Sequence, residues 1–109
     1  MSKRDDEVLI KDIIDSGDKI FRYTMGMTFD EFFKDDRTVD AVIRNFEIIG
    51  EAANRLSEGF KDANNSVDWH KIRGFRNRIV HDYAGVDLTI VWNIIQGFLP
   101  NVMNSIKNT

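Results

Sequence analysis

The chain has 109 residues, of which 42% are hydrophobic and 30% charged, with 15 basic against 18 acidic residues and no cysteine. That length suits a single domain, 1–109, built on one core, and the composition is that of a folded protein rather than a disordered tail or a membrane protein. The lack of cysteine excludes disulfides, thiolate metal sites and cysteine nucleophiles together.

No apolar run reaches the roughly 18 residues of a membrane span. The start, MSKRDDEVLI, lacks the apolar stretch of a signal peptide. The expected compartment is the cytoplasm, with no membrane contact. A net charge of −3 argues against non-specific binding to nucleic acid, which rests on many cationic phosphate contacts. The average hides one basic segment. Between Trp69 and His81 the chain carries Lys71, Arg73, Arg76 and Arg78 and no carboxylate, which leaves 11 basic against 18 acidic residues elsewhere.

Apolar residues recur at three- and four-residue steps throughout, and one proline and seven glycines interrupt them. Helices are therefore expected along the whole chain. The first runs from about Asp5 to Thr24, with Ile10, Ile13, Ile14, Gly17, Ile20 and Phe21 on one stripe. After a turn near Gly26, Thr28 and Glu31 have capping-box spacing for a short helix that Phe29, Phe32 and Phe33 should dock. The second long helix begins near Arg37 or Thr38 and is expected to reach about Gly59. Its face carries Val39, Val42, Ile43, Phe46, Ile49, Gly50, Ala53 and Leu56, and Gly50, Ala52 and Ala53 form a strip small enough for another helix to approach closely.

The polar segment KDANNSVD breaks the pattern and ends in Asp68, a good N-cap. The third long helix spans Trp69 to about Asp82, and Gly85 ends it. Asp87 caps the fourth, which carries Leu88, Val91, Trp92, Ile95, Phe98, Leu99, Val102 and Ile106 and should kink at Pro100. The expected fold is all-α, an up-and-down four-helix bundle with an extra short helix between the first and second long helices.

Arg76 shares a face with Ile72, Ile79, Val80 and Tyr83, where a purely structural helix would carry an apolar residue. A structural arginine would snorkel or pair with a carboxylate such as Glu51. His81 follows about 140° around the helix and about 7.5 Å along it, at a C-terminal end where the dipole favours protonated imidazole. Alone it reads as a solvated cap.

Together these residues lie in RGFRNRIVHDY, with the form Arg, four residues, His, one residue, Tyr. With IGEAANRLS and WHKIRGFRNRIVHDYAGVDLTIVW, the chain resembles the HepT branch of the HEPN superfamily over most of residues 5–108. Ser66 and Ala84 depart from the proline and aromatic residue common there. The resemblance implies the toxin of a type VII toxin–antitoxin pair, a metal-independent endoribonuclease acting through attack of the 2′-hydroxyl on the adjacent phosphate, without a cofactor. His81 would serve as general acid or base and Arg76 as the clamp on developing phosphate charge. Asn77, Arg78 and Tyr83 would support the site, and Lys71 and Arg73 would bind RNA.

Family members work as dimers whose paired third helices form a composite cleft, which implies a homodimer here. The resemblance further implies a partner antitoxin, an MntA-like nucleotidyltransferase that attaches AMP to Tyr83. Tyr83 equally suits a partly buried structural aromatic. The alternative function is a non-catalytic helical dimer that holds a nucleotide or partner, or a plain scaffold. His70 and His81 lie about 16 Å apart along a helix, too far to share a metal readily. His70 is expected to be structural or solvent-facing, and Asp35 and Asp36 to be solvated turn residues.

Overall fold

The computed structural model describes residues 3–81 and 86–108, with the backbone alone at 3, 4, 80 and 81. The described residues form helices and turns without strands: α1 (Lys3–Thr24), α2 (Phe29–Lys34), α3 (Asp36–Arg55), α4 (Glu58–Ala63), α5 (Trp69–His81), α6 (Leu88–Asn93) and α7 (Leu99–Lys107). A π-helical turn, Ile94–Phe98, joins α6 to α7. The fold is all-α, a helical bundle in which α1, α3, α5 and the α6–α7 unit are the long members. α3 is its centre, packed on α1 along one side and on α5 along the other, while α7 closes against α1.

Burial follows the apolar stripes. Ile13, Gly17 and Ile20 of α1 are buried, with Ile10, Ile14 and Phe21 at the margin. Every residue of the α3 stripe from Val39 to Leu56 is buried as expected. On the last helical unit Val91, Ile95, Leu99, Val102 and Ile106 are buried and Leu88, Trp92 and Phe98 are half-buried. No helix among the described residues is long and apolar enough to cross a membrane.

The caps fall where the short polar residues put them. Thr28 Oγ1 accepts from Glu31 N at 3.2 Å while Thr28 N donates to Glu31 Oε1 at 2.9 Å, a full capping box. Asp35 is a helix cap rather than a free turn residue: its two carboxylate oxygens accept from the amide and hydroxyl of Thr38. Asp68 accepts from Lys71 N and Asp87 from Thr89 N, which starts α5 and α6. The expected stop at Gly85 lies outside the described residues.

Two expectations need correction. Phe33 is 56% exposed and leans on Phe29 at 5.9 Å between ring centroids, because a helix of six residues turns only Phe29 and Phe32 inward. The second long helix stops at Arg55, and a separate α4 follows. Leu56 turns to an extended conformation, and Ser57 caps α4 by accepting from Phe60 N at 3.1 Å. Asp6, far off on α1, holds that junction by accepting from Ser57 N at 2.9 Å and Ser57 Oγ at 2.7 Å. Pro100 follows the π-helical turn, in which Leu99 N donates to Ile94 O one residue further back than in an α-helix. The backbone stays helical through Asn93, Phe98 and Leu99.

The contact between α3 and α5 is unusually close at one point. A Cβ placed on Gly50 would overlap Cβ and Cγ of Arg76, and Arg76 Cα lies 3.4 Å from it. Phe46 and Phe75 pack edge to face beside it, with centroids 5.0 Å apart. At the far flank of α5, Trp69 Nε1 donates to Asn64 O at 3.1 Å and its ring meets Phe60.

Gly50→Ala should lower stability. Forcing atoms into this contact costs roughly 1–3 kcal/mol, against about 1 kcal/mol gained in helix propensity. Gly74→Ala, on the open side of α5 where an added Cβ meets nothing within 4 Å, should instead gain about 0.5–1 kcal/mol. Urea midpoints of opposite sign relative to wild type are the expected readout.

A second prediction concerns acid. The two hydrogen bonds from Ser57 hold the Asp6 carboxyl below its usual value of 3.8, so its contribution is present above that value and lost as pH falls through the lowered one. The gap in melting temperature between wild type and Asp6→Asn should be constant near neutrality and shrink below 3.8.

Candidate functional site

α5 positions the candidate residues. Asp68 caps its start, Ile72 and Ile79 anchor it in the core, and its helical backbone continues through His81. Arg76, on the same face, is half-buried. The missing side chain at Gly50 makes room for its stem, so the arginine lies in the α3–α5 seam with its position set by backbone rather than by flexible side chains. Its Nη1 donates to Asn77 Oδ1 at 3.3 Å. Among the described residues it forms no ion pair, with Glu51 or any other carboxylate. A guanidinium fixed in place, with its charge left uncompensated by those neighbours, is suited to receive an oxyanion.

Asn77 is also half-buried, directly beside Arg76 and one helical turn before His81. Arg76 and Asn77 thus form a pair, a link that their adjacency in sequence does not imply, since neighbours on a helix diverge by about 100°. His81 holds the last position of α5 as a backbone; Tyr83 lies outside the described residues.

The remaining cations do not share one plane. Lys71 and Arg78 flank a groove of about 330 Å³ between α5 and the α6–α7 unit, lined among others by Phe46, Phe75, Phe98 and Leu99. Lys71 Nζ sits 4.5 Å above the Phe98 ring centroid. Arg73 projects from the opposite flank, into a hollow of about 190 Å³ shared with Glu58, Lys61 and Trp69. His70 is exposed at the rim of both. The basic stretch is therefore divided: Arg76 in the α3 seam, Lys71 and Arg78 on one side, Arg73 on the other. The sequence marked Gly50 as part of a small-residue strip, but not as the seat of Arg76. The aromatic groove beside Lys71 and Arg78 escaped notice because its walls come from three helices.

The chain matches the family model described as "Ribonuclease HepT-like" over residues 13–109. It is 37% identical, over 98% of its length and 88% of the relative's, to a Methanocaldococcus jannaschii protein named "Putative RNase". A second protein of that organism with the same kind of name is 32% identical over 98% of each chain. "Probable ribonuclease HepT" of Thermococcus cleftensis is 31% identical over 92% of this chain and 91% of its own. No solved structure matches. On this breadth of similarity, the chain belongs to the HepT-like ribonuclease family of the HEPN superfamily.

Proposed function

We propose that this chain is a metal-independent endoribonuclease and the toxin of a type VII toxin–antitoxin pair, with Arg76 and His81 as its catalytic residues. The observation that carries the reading is Arg76: half-buried in the α3–α5 seam, seated on Gly50, and unpaired with any carboxylate among the described residues. A structural arginine at such a position would be expected to have its charge neutralised. Membership of a ribonuclease family supports the same reading.

In the proposed reaction the 2′-oxygen of one ribose attacks the adjacent phosphorus. A 2′-O–P bond forms and the P–O5′ bond breaks. The 2′-hydroxyl proton is removed, and the departing 5′-oxygen takes up a proton. His81 carries one of these two transfers. Arg76 donates to the non-bridging oxygens as charge gathers on them, and Asn77, hydrogen-bonded to Arg76, holds the guanidinium in orientation. The products are a 2′,3′-cyclic phosphate and a 5′-hydroxyl. DNA, lacking the attacking group, is spared.

Arg76 and His81 differ by about 140° around α5, so two copies of the chain meeting across a two-fold axis would aim them at one phosphate more readily than one copy. A homodimer is therefore part of the proposal. So is neutralisation by a nucleotidyltransferase antitoxin that attaches AMP to Tyr83. The added phosphate would place negative charge two residues from His81 and compete with RNA for Arg76.

Labelled RNA incubated with the purified protein in EDTA should yield 2′,3′-cyclic phosphate ends. His81→Ala, folded by circular dichroism, should cut at least about a hundredfold more slowly, the scale of a lost acid–base group. An absence of cutting by wild type with unmodified Tyr83 would leave the non-catalytic nucleotide-binding dimer as the better reading. Co-expression with the antitoxin should raise the mass of the Tyr83 peptide by one adenylate and abolish cleavage. A neutralised complex with unmodified Tyr83 would assign inhibition to steric blocking.

A further inference from the structure

The proposed chemistry leaves unused a groove between α5 and the α6–α7 unit. Its volume is about 330 Å³ and its walls are apolar and aromatic, yet Lys71, Arg78 and His70 stand in its lining and, among the described residues, no carboxylate does. Phe75 is fixed from behind by Phe46 at 5.0 Å. Phe98 is half-buried, and the Lys71 ammonium sits over its ring face at 4.5 Å. Gly74, midway along α5, opens the wall between them, since an added Cβ there meets nothing within 4 Å. A glycine in a helix interior weakens the helix, and here it leaves the groove accessible.

An apolar, aromatic slot with a cationic rim fits a flat π-surface tied to an anion. From this we propose that the groove is a nucleotide subsite for single-stranded RNA: a base lies against Phe98 and Phe75, and the flanking phosphates meet Lys71 and Arg78. The inference rests on the RNA-cleaving reading of α5. It adds a place where base identity is sensed. The Phe98 face now covered by Lys71 stacks a base equally well, and the exposed, flexible lysine can follow the phosphate. Arg78 precedes His81 by three residues, about 4.5 Å along the helix, so a strand seated here passes the end of α5 where cleavage is placed. A second copy of this chain seated in the groove is the competing occupant, and the oligomeric state tells the two apart.

The test uses a mixed-sequence 2′-O-methyl RNA hexamer, which lacks the attacking hydroxyl, and AMP as a free-nucleotide control, each titrated into 15N-labelled protein. The hexamer should shift the amides of Lys71–Arg78 and Ile94–Leu99 and bind more tightly than AMP. Gly74→Leu places a good helix former where there is room for it, so its fold should survive, checked by its melting curve. It should weaken hexamer binding about tenfold or more, as loss of one stacked base would, and change the bases preferred at the cut. AMP binding as tightly as the hexamer would overturn the assignment to RNA. Unchanged hexamer affinity and base preference in Gly74→Leu would overturn the subsite, and a changed oligomeric state alongside would give the groove to a second copy. RNA cleavage with the groove amides unmoved removes the subsite alone. Groove shifts lost in Gly74→Leu, without cleavage by any form, keep the subsite and remove the nuclease.

Discussion

The absence of a side chain at Gly50 is the constraint on which the arrangement of α5 depends. It lets the stem of Arg76 occupy space that a Cβ would fill, and so sets how close α5 comes to the central helix. Ile72 and Ile79, fully or nearly buried, then lock its rotation. With rotation and distance fixed, every other residue of α5 has its direction determined. Arg76 stands half-buried in the seam with Asn77 hydrogen-bonded to it, Lys71 and Arg78 face the groove, and Arg73 faces away. Stability and site geometry are therefore coupled at one residue pair. A change that loosens the seam reduces packing and frees the guanidinium together, since a bound ligand is best served by groups that need no reordering.

Much of this was legible in the chain itself. The stripe of α3 predicted which of its residues are buried, because a 3.6-residue period leaves few ways to hide eight apolar side chains. On α1 Ile13, Gly17 and Ile20 are buried as expected, but Ile10, Ile14 and Phe21 are only partly covered and Leu9 takes an inner place outside the expected stripe. Thr28 with Glu31, Asp68 and Asp87 marked helix starts through bonds that span three residues or fewer. What escaped prediction depends on distant partners. Ser57 looks like an interior residue of a long amphipathic helix until Asp6, 51 positions earlier, is brought against it. Phe33 reads as a core residue by type, yet a helix of six residues has no second turn to bring it inward. For the site, the spacing of Arg76, Asn77 and His81 was visible in a single segment. The seat under Arg76 and the aromatic groove were not, since each is assembled from helices far apart in sequence.

The division of the basic stretch alters how an acidic protein could attract RNA. A helix with all its cations on one face would act as a uniform strip. Here the charges reach three environments, and two of the four, Lys71 and Arg78, share a groove with aromatic rings rather than open solvent. Long-range attraction depends on their sum, whereas discrimination depends on what surrounds each one. The chain has a net charge of −3, so non-specific attraction from the rest of the surface is weak. On the RNA-cleaving reading, local geometry would carry correspondingly more of the recognition.

The π-helical turn at Ile94–Phe98 has a consequence for the end of the molecule. It adds one residue to a helical circuit, so everything beyond it is rotated by about 100° relative to an uninterrupted α-helix. In that phase Leu99, Val102 and Ile106 lie on the core side and Lys107 Nζ sits 3.0 Å from Asp18 Oδ1 on α1. The number of residues in the turn, more than their identity, therefore keys which face of α7 meets α1. A one-residue deletion there could leave a continuous helix and still direct the wrong surface inward.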